Sequence, residues 1–429
     1  MKEGVTYEEC RGGLSEAQWK AAIRFDSMDW GWIIMNIGMA IGAGVVFLPV
    51  QVGIVGTWVY LLSALIGYPA LYAFQRLYIN TLAASPKCED YPSVISEYLG
   101  KNWGILLGII YFIMILISVF CYATAITNDS ASFLYTFRIT DTVLSDQPLY
   151  GLAVICGLVA VASQGEKILF KISTGLVLVK LFVIAALGVM MMSRWDLANV
   201  PSLPSLADGL YQTMTILPLT LTSILFIQTL SPMVISYRAH TVSPQVAWYK
   251  SLRAMNISFA VLFTVIFFFS ISFNLAMSHE QAVLAAEQNI SAMAIAAQEM
   301  DGETIKILGL ILNIFAIMTA FFSVFLGFRE SCQGIAMNLL SRIMEPARIR
   351  RDWVRQGTLV FGVLVAWGAV VLNLPVLRLL TYMGPIMGII GCFIPAYLVY
   401  KVDFLKRFRT PVLWGILITG ILLTVSPLF

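Results

Sequence analysis

Eleven apolar segments follow one another along this chain, at approximately residues 30–50, 57–80, 104–135, 149–163, 170–193, 209–236, 254–278, 305–327, 356–374, 379–400 and 410–428. Most approach the roughly 20 residues that a helix needs to cross a hydrocarbon core about 30 Å thick. Lipid offers backbone N–H and C=O groups no partners, so segments of this kind have one solution, the membrane-spanning helix. With 59 % hydrophobic and 12 % charged residues, the composition excludes an ordinary soluble fold. The expected fold class is an all-α polytopic membrane protein with 11 transmembrane helices. The third segment is long enough to tilt strongly or to project beyond the bilayer.

The charges test this reading, because lysine and arginine concentrate in cytoplasmic loops. With the N-terminus inside, 22 of the 27 basic residues fall in inner segments or adjoining span ends. The outer side holds only Arg138, Arg194, Lys306 and Arg378, and Lys180 lies within a span. The N-terminus is therefore expected in the cytoplasm and the C-terminus outside. Residues 1–26 are polar and show no secretory leader. Within them, Ser15 to Phe25 has the pattern of a short amphipathic helix on the membrane surface. The inner Ser341–Arg355 connection is strongly basic, which suits a face apposed to anionic lipid.

A net charge of +3 gives no reason to expect nucleic acid as a partner. The six cysteines show no metal or redox spacing and read as small packing residues. His240 and His279 fall in loops on opposite sides and cannot share a metal. No cofactor is expected, and no obligate protein partner is evident. An intramembrane enzyme needs paired acids, a serine–histidine couple or a metal set at membrane depth, and none is present. The chain lacks the phosphate-binding loop of an ATP-driven pump.

Gly38-Met39-Ala40-Ile41-Gly42-Ala43-Gly44, closed by Pro49, interrupts the first span. Glycine costs about 1 kcal/mol against alanine inside a helix. Such a stretch is either a close-packing seam or an unwound segment whose backbone binds something. The sixth segment carries its own break, read at Gln228-Thr229-Leu230-Ser231-Pro232, where proline removes a donor and presses on the carbonyl four residues earlier. Broken spans one and six, five apart, are the signature of two inverted five-helix repeats. The resulting division is 1–29 as a cytoplasmic N-terminal segment, 30–193 and 194–400 as the first and second repeats, and 401–429 as a cytoplasmic loop and eleventh helix. A central site of this kind suits a zwitterion: half-helix N-termini attract a carboxylate, and free carbonyls at half-helix C-termini attract an ammonium.

Lys180 is the only basic residue deep in a span, where it costs roughly 2.5–3.5 kcal/mol on insertion scales. It is either a coupling group that gains and loses a proton during a transport cycle, or a structural lysine donating to free helix carbonyls. On span eight, Thr319 and Ser323 lie four apart and can face the centre, where their hydroxyls would accept from Lys180. All three are the candidate proton-coupling residues. Thr124, Thr127, Asn128 and Asp129 form a polar cluster on span three, with Asp129 a candidate ion-path residue. Asp26 and Asp29 are assigned to an inner gate or interface. Asn313, Asn373 and Gly384-Pro385 read as packing or gating elements. The outer connection from Met277 to Glu303 is acidic and alanine-rich, either a helical lid over a vestibule or a solvated bridge.

The run Ile41-Gly-Ala-Gly-Val-Val-Phe-Leu-Pro49, Ala125-Ile-Thr-Asn128, Ser231-Pro232, Glu287-Gln-Asn-Ile-Ser291, Leu326-Gly-Phe-Arg-Glu330 and Gly384-Pro385 together resemble the hydroxy/aromatic amino acid permeases. This family lies within the amino acid–polyamine–organocation superfamily. The likeness is nearest to the serine/threonine-type branch, in particular the enteric inner-membrane proteins linked to cysteine and D-serine uptake. Those relatives also share Lys171-Ile-Ser-Thr-Gly175 and a lysine matching Lys180. The resemblance implies eleven spans in a five-plus-five inverted repeat and proton-driven import of a small neutral amino acid across a bacterial inner membrane. It also implies that Gly42, Ala43 and Gly44 hold the substrate carboxylate, with Gln228, Thr229 and Ser231 of span six and Thr127 or Asn128 of span three nearby. Two departures stand out. Serine-transporting relatives carry Phe-Asn-His before Ser-Pro where this chain has Gln228-Thr229-Leu230, and a lysine where Thr319 falls. The alternatives are a sodium-coupled importer, an exporter of the same fold or, less expected, a membrane sensor.

Overall fold

The computed structural model describes residues 13–85, 91–163, 166–299, 302–343 and 351–428. Residues 344–350 of the basic Ser341–Arg355 connection lie outside them, as do Cys10, Cys88 and the side chains of Lys171 and Ser323. The described residues form helices throughout and no strand.

A short helix α1 (Glu16–Ala22) begins at a capping box in which Ser15 and Gln18 bond each other's backbone. The first apolar segment is two helices, α2 (Ser27–Ala40) and α3 (Ala43–Val55), bent by 45°. There follow α4 (Thr57–Ala84), α5 (Tyr91–Leu99), α6 (Lys101–Thr136), α7 (Pro148–Ala162) and α8 (Glu166–Met191). The sixth segment is α9 (Leu206–Thr222) and α10 (Ile227–His240), and α11 (Pro244–Ala276) comes next. Two helices, α12 (His279–Glu287) and α13 (Ala292–Glu299), fill the long connection before α14 (Glu303–Ile343). After α15 (Arg351–Val371) comes α16 (Val376–Met387), which continues through a π-helical turn, Gly388–Phe393, into α17 (Ile394–Lys401). The last is α18 (Val412–Val425).

Among the described residues, eight helical stretches are long and apolar enough to cross a membrane, and the bent α2–α3 pair makes a ninth. Two shorter apolar helices, Pro148–Ala162 and Val412–Leu428, accompany them. The chain is thus a multi-pass membrane protein. At 36 residues α6 is about 54 Å long, well beyond a hydrocarbon core of about 30 Å.

The α2–α3 break sits at the bundle centre, and the residues from Ile41 to Val50 are all buried. Ile41 turns extended (φ −79°, ψ 93°), which ends α2 and frees its last carbonyls. Gly42 is required for space: a Cβ there would lie 2.8 Å from the Tyr122 hydroxyl and 3.3 Å from Ala320 Cβ. Gly44 is the point of closest approach to span six, where a Cβ would meet Thr222 O at 3.2 Å and Ser223 Cα at 3.3 Å. The two breaks are therefore in contact. Gly38 lies against Val177 of α8, so it does serve as a packing seam, and that close approach carries α8 to the break.

The sixth-span break differs from the expected position. It lies at residues 223–226, upstream of Ser231-Pro232, which sits inside α10. Pro232 is the sixth residue of α10, so the carbonyl that loses its helical donor is that of Gln228 in the first turn, and the helix continues through it. The actual break is sustained by side chains. Thr222 and Ser223 hydroxyls donate to Leu219 O and Thr220 O, and the Phe226 N–H donates to Gln75 Oε1.

Candidate functional site

Lys180 is 1 % exposed and enters the break from α8. Its ammonium donates to Gly38 O at 3.3 Å, Ile41 O at 3.1 Å and Thr319 Oγ1 at 3.0 Å. Those three bonds use all its protons. The two carbonyls are ones that the end of α2 leaves without helical partners, and Thr319 belongs to α14. A single cation thus joins the broken first span to α8 and α14. Both roles envisaged for this lysine share one geometry, since it meets free helix carbonyls and the span-eight hydroxyl together.

On the other side of the break, the Val45 N–H closes on Gly42 O, while the Ala43 and Gly44 amides at the start of α3 precede any helical acceptor. The Tyr122 hydroxyl of α6 stands beside them, 2.8 Å from where a Cβ at Gly42 would lie. From the span-six side, Thr229 donates to Asn36 Oδ1 at 2.6 Å and to Phe226 O at 2.8 Å. Asn36 is fully buried and donates to Ser258 Oγ at 3.2 Å, which ties α2, α10 and α11 together one to two turns from the break. Gln228 is half-buried in the first turn of α10. The Ser231 hydroxyl is buried without a hydrogen-bond partner among the described residues.

Polar contacts flank this centre on two sides. At one end, Asp29 is fully buried and accepts from Arg253 Nη2 at 2.8 Å and Tyr237 Oη at 2.8 Å, with Lys250 Nζ at 3.3 Å. Lys250 also pairs with Asp26 at 2.5 Å, and Arg253 Nη1 donates to Ile23 O at 2.6 Å. Partial burial pushes the Asp26 carboxyl up, but the hydrogen bond and charge of Lys250 outweigh it and hold the group below its ordinary value. The pair is intact at neutral pH and is lost only as acid protonates Asp26 below that range. At the opposite end, α12 packs on α3, where a Cβ at Gly53 would lie 2.5 Å from Ala282 Cβ. The His279 ring N–H reaches Gly53 O at 2.9 Å. A cavity of about 520 Å³ opens beside it, lined by Gly56, Trp58, Asn199, Asp208 and Gln212 among others.

The sequence profile of the tryptophan/tyrosine permease family matches residues 26–426, from the Asp26 cap of α2 to the end of α18. The chain belongs to that family. The permease is 60 % identical over 420 residues to a protein named "Serine transporter" from Escherichia coli O157:H7, covering 97 % of this chain and 95 % of the relative. It is 25 % identical over 390 residues to "Serine transporter SdaC" of Escherichia coli (strain K12), with 89 % of each chain covered. A "Threonine/serine transporter TdcC" from Yersinia enterocolitica is 23 % identical over 422 residues, 92 % of this chain and 93 % of the relative. These relatives are named as transporters, and the family is one of permeases, not enzymes. A multi-pass permease of this family is consistent with the inner membrane of a bacterium.

Not every residue singled out in the permease sequence meets the break. The Thr127 hydroxyl donates to Ala123 O of its own helix, and its methyl group packs towards Gly151 of α7. Asn128 donates to Asn289 O and Asn373 Oδ1, so its contacts lie with the turns that follow α12 and α15. Thr124 reaches Ala369 O at 3.4 Å. Gly384 packs against α18 and Pro218. Conversely, Tyr122 and Asn36 stand at the centre and drew no attention in the sequence. An asparagine and a tyrosine in otherwise apolar spans were the available signal, since each needs a buried partner.

Proposed function

We propose that this permease is a proton-coupled importer of a small neutral amino acid of the serine, threonine, cysteine or D-serine class, working by alternating access. The observation that carries the reading is the Lys180 ammonium held between Gly38 O, Ile41 O and Thr319 Oγ1. Two backbone carbonyls and a hydroxyl are a cation's ligand shell, and here the cation is a titratable side chain. Losing its proton removes the charge that holds α2 to α8 and α14, so protonation sets how firmly the broken span is clamped. A sodium ion has no place beside that ammonium, because like charges at such range repel.

In this reading the α3 amides at Gly42, Ala43 and Gly44, with the Tyr122 hydroxyl, bind the substrate carboxylate, and the substrate ammonium faces carbonyls freed at the two breaks. Ser231, whose buried hydroxyl has no partner among the described residues, and Thr229 are proposed to read the substrate side chain. In this reading the eight long helices, the bent pair and the two shorter apolar helices are the eleven spans. Broken spans at positions one and six support inverted repeats at 30–193 and 194–400, with the termini on opposite sides and the N-terminus cytoplasmic. The Asp29–Arg253–Lys250 cluster is then the inner gate, and α12–α13 the outer one.

The test is purified protein in liposomes. An inward acid gradient is expected to drive accumulation of labelled L-serine, up to about tenfold per pH unit for one proton per substrate. Accumulation that follows sodium and ignores pH would end the Lys180 proposal. The gate carries its own prediction. Asp29→Ala leaves Arg253 and the buried Lys250 without their shared acceptor and is expected to destabilise the protein by about 3 kcal/mol. A melting temperature equal to the parent's would show that the cluster contributes no closing energy.

A further inference from the structure

Asp129 is the second ionisable side chain deep in the bundle that the transport reading leaves unused. It is 2 % exposed, and no ion pair reaches it among the described residues. Its carboxylate meets donors on both oxygens: the Ser291 N–H at 2.8 Å and Asn313 Nδ2 at 2.7 Å, with the Ser291 hydroxyl also directed at it. Asn313 holds Ser291 Oγ at 2.6 Å as well. Ser291 stands immediately before α13, so the carboxylate fastens the start of that helix to α6 and α14. Alongside, Asn289 sits in the left-handed region (φ 54°), accepts the Val376 N–H and donates to Asn373 Oδ1 and Leu374 O. Asn128 and Asn373 of this clasp line a cavity of about 210 Å³ whose rim includes the exposed Asp146. Asp129 also shares α14 with the lysine site, because Asn313 and Thr319 are six residues and thus about 9 Å apart along one helix.

We propose that Asp129 is a proton-operated latch: its carboxylate holds the α12–α13 connection shut, and its protonation releases it. The proposal rests on the reading of those helices as the outer gate. The chemistry follows from the donor count. Ionised, Asp129 accepts every hydrogen bond the site offers. Protonated, it loses one acceptor position and presents an O–H to groups already donating, so the fastening of Ser291 weakens. Other ionisable groups on the surrounding elements do not supply this response. Asp146, Glu287, Glu299, Glu303 and Arg378 are exposed, Tyr150 is bonded to Ser130, and Lys306 pairs with Glu303. Tyr135, further along α6, is also exposed. His279 donates a ring N–H to Gly53 O, a bond that either charge state can make.

The test is labelling of a cysteine placed at the buried Ala285 of α12, in a variant lacking the native cysteines, by a membrane-impermeant maleimide. Its rate is divided by that of a cysteine at the exposed Gln288 measured at the same pH, which cancels thiolate formation. The ratio is expected to rise several-fold from pH 8 to pH 5.5 in the parent, and to stay high at both pH values in Asp129→Asn. A flat ratio in the parent overturns the latch without recourse to any Asp129 variant. So does a pH response that survives in Asp129→Asn, or one that disappears in His279→Gln. A ratio that changes when L-serine is added but ignores pH and Asp129→Asn leaves the gate standing and removes the latch. A ratio that nothing changes removes both.

Discussion

Replacing Lys180 by methionine is expected to abolish accumulation of L-serine against its gradient, bringing the inside-to-outside ratio to one, while the protein still inserts. Methionine keeps the length and apolar stem of lysine and removes only the titratable ammonium. Two carbonyls, Gly38 O and Ile41 O, lose a buried donor, each at about 1–3 kcal/mol. The cost of keeping an ammonium out of water is removed at the same time, which offsets much of that loss. Thr319 keeps a bond to Phe315 O at 2.6 Å. Folding should therefore change far less than transport. Exchange of labelled for unlabelled L-serine across the same liposomes separates coupling from binding, and it is expected to persist. A variant that accumulates substrate as the parent does would return Lys180 to a purely structural role.

Gly42→Val is expected to weaken substrate binding by at least about 100-fold, equivalent to roughly 2.7 kcal/mol. Even the Cβ falls within 2.8 Å of the Tyr122 hydroxyl, and the two methyl groups fill the space before the α3 amides. Overpacking of this kind costs about 1–3 kcal/mol in its own right, so a control is needed. Gly362→Val provides one, because a Cβ at Gly362 would lie 2.8 Å from the Phe325 ring, equally crowded but away from the break. Equilibrium binding of L-serine to the two variants decides the matter. Equal affinity in both would mean that the break at Gly42 is a packing seam alone.

The spans were legible because lipid leaves the backbone a single way to satisfy itself, and an apolar run advertises that state without help from its neighbours. Lys180 and Thr319 were legible for a related reason: an ammonium in the bundle must find acceptors, and few lay within reach. The position of the sixth-span break was not. Proline marks strain in a helix, yet this break runs through Ser223-Ile224-Leu225-Phe226 and is stabilised by hydroxyls of its own segment and by Gln75 from α4. Gln75, Tyr122 and Asn36 act across helices, and their partners are fixed by packing that no local pattern contains. The same holds for Asn128 and Asp129. Their place on span three was clear, while their attachment to Asn289 and Ser291 depends on how the α12–α13 connection folds back.

In the proposed eleven-span reading, the short fourth apolar helix has a consequence of a different kind. Helix α7 has 15 residues, about 22 Å, against a hydrocarbon thickness of about 30 Å. Its buried side, Gly151, Ile155, Leu158, Val159 and Ala162, fixes it to the bundle, so it has little freedom to shift along its axis. The lipid on that flank must then thin, or the chain beyond each end must be drawn into the headgroup layer. Acyl-chain length thereby becomes a mechanical variable for this protein, and thicker bilayers load the helix beside which Thr127 is packed.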